Sequence, residues 1–522
     1  MPKPWDAIIV GAGVGGLSAA ARLKKAGLRV LVLEKKLHPG GTANVFSRKG
    51  FTFPMGPLGF SSPDLVRKTL TSLGQGNGLD FCRIHYQVRA FDVNASLSLS
   101  FSQMTEEMAQ LFPEDGAGIK RFFHDVDHLL TAMESPDQEE HRKLLEKATK
   151  TSAYSYLSKF IKDWGLRRIL GSLGTRKAYT GLPLLAAMWR LMARDGIWYP
   201  RQGMQSFCQR LAKAATTPVQ GDRGLVEMRL GTAAKEIRIQ DQTVSGVTLS
   251  DGTNIQAGAV ISNADFKTTF MRLIRREALP QGWYREVRGS KQAGSILQVS
   301  LGVDGDKVDL SAFSKASRLI YRGKSGHSGE TRDGPDWRAL EVDPYALAGQ
   351  ELEVSLWSHE DPTLAPPGGA VIVLRTEAEH RHFEKYRSGP GHRNPSYSEY
   401  KMRLGRALVR ETTNLIPDLE QAIAVMDVAT PLTYEERGGR SEGAAAGWSW
   451  DYEDNPDYQP VELIRTPIHG LYMAGYQAYS ALFMGGVPMA MASGLRAAEA
   501  LLEGAGPHVV KLPGSPPSVS PS

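Results

Sequence analysis

The chain has only two cysteines in 522 residues, Cys82 and Cys208. Two widely separated thiols are too few for a disulfide framework and are compatible with a reducing compartment. Both read as small buried hydrophobes. No H-E-x-x-H or C-x-x-C pattern accompanies the histidine pairs His124 and His128 or His380 and His382, so no metal centre is expected. Lysine and arginine are not clustered with aromatics, which sets nucleic acid aside as a partner. A serine hydrolase is not expected.

An unbroken apolar run long enough to cross a membrane is also missing. The nearest approach, LYMAGYQAYSALFMGGVPMAMASGL (471–495), is almost uncharged, but Gly475, Gly485, Gly486, Pro488 and Gly494 interrupt it. It reads as strand, loop and buried helix. The first strand-like run begins at Asp6, so no leader peptide is expected and a cytoplasmic location follows. A formal net charge of +6 would favour peripheral contact with an anionic membrane surface.

What is present is concentrated first in residues 6–34, DAIIVGAGVGGLSAAARLKKAGLRVLVLE. A β-branched run leads to Gly11, Gly13 and Gly16, spaced G-x-G-x-x-G. An Ala- and Leu-rich helix follows, Gly27 is placed to end it, and a second strand closes on Glu34. The glycines permit a tight turn, close approach of a pyrophosphate, and packing of helix on strand. The helix N-terminus favours the phosphates, and Glu34 is placed to accept from a ribose hydroxyl. A dinucleotide site is expected here.

Further along, in residues 196–215, a proline turn leads into an amphipathic helix with Met204, Phe207, Leu211 and Ala214 on one face. Residues 225–265 alternate apolar and polar about turns at Asp241-Gln242 and Asp251-Gly252, the pattern of a β-meander. SILQVSLGVD, ELEVSLWS and GAVIVLR read as strands, and SYSEYKMRLGRALVRETTNLIP as a helix. GGVPMAMASGLRAAEALL is a helix whose glycine start faces a cofactor, with Pro488 in its first turn. Trp189, Trp198, Trp337, Trp357, Trp448 and Trp450 are expected in the core, with an apolar tunnel as the alternative.

A second glycine pair, Gly40 and Gly41, follows Glu34. It resembles the continuation found in FAD-binding oxidoreductases of the amine oxidase and phytoene desaturase superfamily, which favours FAD over NAD. Together with YPRQGM, RLGTAAKEI, VSGVTLSDG, AVISNAD, DPTLAPPGG and GLYMAGY…GGVPMAMASGLRAA, it resembles the bacterial-type phytoene desaturases, carotene cis-trans isomerases and retinol saturases. The resemblance runs from Asp6 to about Glu503. Gln202, in place of a glycine, and Tyr476, Tyr479 and Phe483 depart from it on the substrate side.

The resemblance implies an α/β protein with a discontinuous Rossmann-like FAD domain of glutathione reductase type and an inserted α+β substrate domain. The expected FAD domain comprises 1–75, 195–290 and 425–505, with 76–194 and 291–424 as substrate domain and 506–522 as a disordered tail. One non-covalent FAD is expected, contacted by Gly11, Gly13, Gly16, Glu34, Lys35, Gly41, Thr42, Ala234, Gly475, Gly486 and Val487. The implied reaction is desaturation, saturation or isomerisation of an apolar isoprenoid or polyene, with no catalytic acid or base assigned. An amine oxidase-like enzyme, with Tyr476 or Tyr479 in an aromatic pair beside the flavin, is one alternative. A partner-binding flavoprotein using the apolar-poor loop 322–337 is another.

Overall fold

The structure is a computed structural model that describes residues 4–514. Within that span 91–92, 174–180, 219–222, 324–339, 341–342, 344–346, 348–349, 390, 452–453, 456–459, 483 and 510–511 are left out. Trp337, Phe483, nearly all of the loop 322–337 and most of the tail therefore lie outside the described residues.

The strand–turn–helix–strand unit forms where its residues place it. Ala7–Val10 and Arg29–Leu33 are parallel neighbours joined through the helix Val14–Lys25. Val260–Ser262 and Leu471–Met473 extend the sheet on one side and Leu225–Arg229 on the other, giving five parallel strands. Ala7–Val10 is buried along its whole length, as a strand covered on both faces must be. The helices Gly203–Thr216 and Gly486–Leu502 pack beside Val14–Lys25. A methyl group on Gly494 would overlap the Gly15 carbonyl, so two helices cross there with backbone against backbone. The meander forms as Ala234–Gln240, Thr243–Leu249 and Asn254–Gln256, turning at Asp241 and Gln242 with φ of 47° and 58°. That pair of left-handed residues matches a tight hairpin turn.

Seven strands make the second sheet, in the order Ile423–Ala429, Ser295–Asp304, Gly369–Ala378, Glu351–Leu356, Arg318–Arg322, Tyr86–Ala90, Val93–Ser96. Only the Arg318–Arg322 and Tyr86–Ala90 pair is parallel. Leu297, Val299, Leu301 and Val303 alternate onto one face and join a core under the helix Ser396–Thr412. The opposite face carries Gln298, Ser300, Arg375, Glu353 and Arg318, which the ladders place side by side. Strand Ile423–Ala429 belongs to this sheet, so the expected boundary at 425 cuts through an element paired with Ser295–Asp304. A second core runs from the parallel sheet into the helices between 101 and 190. Among the described residues no helix is long and apolar enough to cross a membrane.

Candidate active site

A cavity of about 1500 Å³ runs from the glycine turn to the polar face of the seven-stranded sheet. Gly11, Gly13, Glu34, Lys35, Gly41, Thr42, Ala234, Gly475, Gly486 and Val487 all line it. Gly16 does not. A methyl group there would overlap the Gly11 carbonyl oxygen and press on Ile9 and Asn263. This glycine sets the distance of helix from strand; the expectation that it contacts the cofactor is corrected.

Glu34 ends its strand with a buried carboxylate that accepts from Ala12 N–H at 2.8 Å and Lys36 N–H at 2.9 Å. It therefore ties the glycine turn to the end of the neighbouring strand. The helices Val14–Lys25 and Gly486–Leu502 both start at glycine without a side-chain cap. Their first N–H groups have no side-chain cap among the described residues, and the dipoles favour an anion there. Gly475 adopts φ of 103° beside the Asn263 side chain, which brings the strand end close to the cavity.

Several lining residues carry no sequence signal. Arg440 donates to the carbonyls of Ala444 and Ala445 and, at 2.7 Å, to Thr42 Oγ1. It forms no ion pair among the described residues, and burial pulls its pKa down, with Arg375 adding to the effect. Arg375 donates to Gln298 Oε1 through Nε at 2.9 Å and Nη2 at 2.7 Å, and to the Gly56 carbonyl. Its position was legible in one respect: in GAVIVLRTEA it shares parity with the buried Val371 and Val373. Tyr434 and Tyr476 also line the space, and burial raises both phenols, that of Tyr476 to about 12. Two π-helical turns, Leu191–Asp195 and Thr269–Leu273, supply Leu191, Arg272 and Leu273 to the wall.

A charged cluster lies at the cavity wall. Glu435 accepts from His380 Nε2 at 2.8 Å and from Arg387, and lies 3.5 Å from Arg272. Burial alone would push this carboxyl up, but His380 and Arg387 outweigh it and hold it at about 2. Because the folded value lies below the ordinary 4.5, the stabilisation is full above 4.5 and is lost as pH falls toward 2. That shift corresponds to roughly 3 kcal/mol at neutral pH. Glu435→Gln is expected to lower the thermal midpoint at neutral pH, with the difference from the wild type shrinking over that acid range.

The remaining expectations resolve simply. His124 contacts Asp125, His128 packs on His141, and His382 bonds the Tyr400 hydroxyl at 2.8 Å. No group of three or more metal-type ligands converges among the described residues. Trp189, Trp357 and Trp448 are fully buried, and no described tryptophan lines the cavity. Cys82 and Cys208 are free thiols, and burial raises both. Gly439–Gly443 does match the G-x-S-x-G spacing. Ser441 there bonds Asp265 in a short 3₁₀ turn, not on a strand-to-helix elbow, and bonds no histidine among the described residues.

The cavity's residues suit a dinucleotide. Lys36 Nζ is buried at its edge without a hydrogen-bond partner, two helix starts offer free donors, and Gly41 approaches the Gly13 backbone closely. The volume exceeds the roughly 300–1,000 Å³ of a typical small-molecule pocket, leaving room for a second molecule. The flavin containing amine oxidoreductase pattern matches residues 14–375. The chain belongs to that family. Its cofactor is FAD, and the protein is an FAD-dependent oxidoreductase. Among similar curated proteins is the chloroplastic prolycopene isomerase of Daucus carota, 27% identical over 91% of this chain and 76% of its own. A lycopene-forming phytoene desaturase of Pseudescherichia vulneris is 25% identical over 72% of this chain and 76% of its own. A solved oxidoreductase from Methanosarcina mazei shares the fold, with TM-score 0.60 and 16% identity over 94% of this flavoenzyme and 99% of its own chain.

Proposed function

We propose that this flavoenzyme acts on C–C or C=C bonds of an apolar isoprenoid or polyene, by desaturation, saturation or isomerisation. One observation carries the choice: in the wall of the cavity Arg375 and Arg440 make no ion pair among the described residues. A protonated amine passing these two guanidiniums would be repelled by them. The prolycopene isomerase and phytoene desaturase relatives supply the polyene class. Of the two tyrosines offered for an aromatic pair in amine oxidation, Tyr476 lines the cavity and Tyr479 does not. Tyr479 lies under Arg496, 4.2 Å from guanidinium carbon to ring centroid.

FAD, when bound, supplies a two-electron acceptor or donor. Gly11, Gly13, Glu34, Lys35, Gly41, Thr42, Ala234, Gly475, Gly486 and Val487 would hold it, with Lys36 Nζ added as a cation beside the phosphates. The start of Gly486–Leu502 offers backbone donors to negative charge. Tyr476, raised to about 12, stays protonated at neutral pH and serves as a donor rather than a base. The protein's part is thus orientation and exclusion of water.

The test is anaerobic spectroscopy of the FAD-loaded protein with carotenes, retinoids and amines. Polyenes are expected to perturb, reduce or reoxidise the flavin, and amines to leave it unchanged; bleaching by amines alone overturns the reading. We further propose a cytoplasmic enzyme that docks on membranes holding its substrate, supported by the net charge of +6. Co-flotation with anionic liposomes is expected, and its absence would argue for a soluble substrate.

A further inference from the structure

Arg375 is held more rigidly than a solvent-facing arginine needs to be. The Gln298 amide, 2% exposed, fixes it from one side. That amide is itself fixed, since its Nε2 donates to Ser300 Oγ at 3.1 Å and Pro54 O at 3.3 Å. The Tyr434 hydroxyl also donates to Gln298 Oε1, at 2.9 Å. The Gly56 carbonyl anchors Nη2 from the other side. This leaves Nη1 without a hydrogen-bond partner among the described residues, on a side chain that lines the cavity.

Arg375 also makes no ion pair among the described residues. Glu353 lies opposite Arg375 in the ladder, but its carboxylate is bonded by the Tyr86 hydroxyl at 3.4 Å and makes no ion pair with it. Arg440, a second guanidinium lining the same cavity, is close enough to repel it. Asp265 acts on Arg440 as a nearby negative charge and accepts from Ser441 and from the Thr268 N–H at 2.9 Å. Two guanidiniums line one space, and Arg375 Nη1 keeps a free donor there among the described residues, an arrangement suited to an anion. A neutral hydrocarbon would leave Arg375 Nη1 without a partner.

We propose that the substrate of this flavoenzyme is a polyene or isoprenoid bearing a carboxylate, with Arg375 Nη1 as the group that binds its acid head. The proposal rests on the polyene reading above and narrows it. Arg375 is the specificity-determining residue, and Gln298 positions it. Ile296, on the same strand as Gln298, lines the cavity and gives the chain of such a substrate an apolar wall.

The experiment compares binding of retinoic acid, its methyl ester and retinol to the FAD-loaded protein, followed by perturbation of the flavin spectrum. The acid is expected to bind about tenfold or more tightly than the ester or alcohol. Arg375→Met should abolish that preference while the flavin band and FAD content stay at the wild-type level. Arg375→Lys, which keeps the charge and guards against a folding defect, should retain part of it. Equal binding of acid, ester and alcohol by the wild type would overturn the proposal and leave the polyene reading standing. Loss of FAD from Arg375→Met with the preference intact would assign the guanidinium to the cofactor and also overturn it. No binding of any retinoid, with bleaching by amines, would sink the polyene reading itself.

Discussion

Gly16→Val is expected to yield no FAD-loaded protein, the largest effect of any single substitution in the glycine turn. The helix Val14–Lys25 lies so close to the first strand that even a methyl group at this position would meet the Gly11 carbonyl oxygen. Ile9 Cγ2 and Asn263 Cβ each stand 3.2 Å from the same point, so the helix has no free direction in which to move. Overpacking of a core side chain costs about 1–3 kcal/mol. Here backbone opposes backbone and neither side can change rotamer, which puts valine at or beyond the top of that range. The shift would also carry the Val14 and Gly15 N–H groups away from the cavity, coupling lost stability to lost cofactor. Gly258→Ala is the control, since nothing lies within 4 Å of its added methyl. Thermal midpoint and flavin absorbance of the two variants settle the matter. A Gly16→Val protein that purifies yellow with a wild-type midpoint would refute the packing role.

Glu34→Ala is expected to weaken FAD binding by at least about a hundredfold and to destabilise the protein before cofactor is added. The carboxylate satisfies two backbone donors, Ala12 N–H and Lys36 N–H, in a site only 6% exposed. Orphaning a buried N–H costs about 1–3 kcal/mol, so the glycine turn loses its tie to the neighbouring strand. The proposed acceptor for the ribose disappears in the same step. Glu34→Gln keeps one acceptor oxygen and should fall between wild type and alanine in both respects. FAD titration by fluorescence and thermal unfolding of the apoprotein separate the two effects. Wild-type FAD affinity in Glu34→Ala would remove Glu34 from the binding set.

Much of the site was legible because its parts are local. Gly11, Gly13 and Glu34 fall within one strand–turn–helix–strand unit, whose hydrophobic runs and glycine spacing specify it over fewer than thirty residues. The same holds for the helix starting at Gly486 and for the meander, where two consecutive turn residues set the register. Helix-on-strand packing was among the duties read for the glycines, and the Gly11 carbonyl beside Gly16 assigns that duty to it, while spacing alone did not tell which glycine faces the cavity. Tyr479 was misjudged for a related reason. An aromatic near the flavin motif looks like a site residue until its ring is found under Arg496.

The sequence by itself determined that a dinucleotide fold exists, where its strands and helices lie, and which glycines open the cradle. These follow from short-range sterics, the periodicity of burial and backbone hydrogen bonding. Only the tertiary structure decided what faces the cradle. Gln298 and Arg375 meet because the register of two antiparallel strands sets them opposite each other. Arg440 reaches Thr42 across 398 positions of sequence, and Glu435 gathers His380, Arg387 and Arg272 from three separate elements. Alternation along a strand reveals which side a residue takes, but not which partner waits there. That choice is made by the register of the sheets and the packing of one sheet against the other.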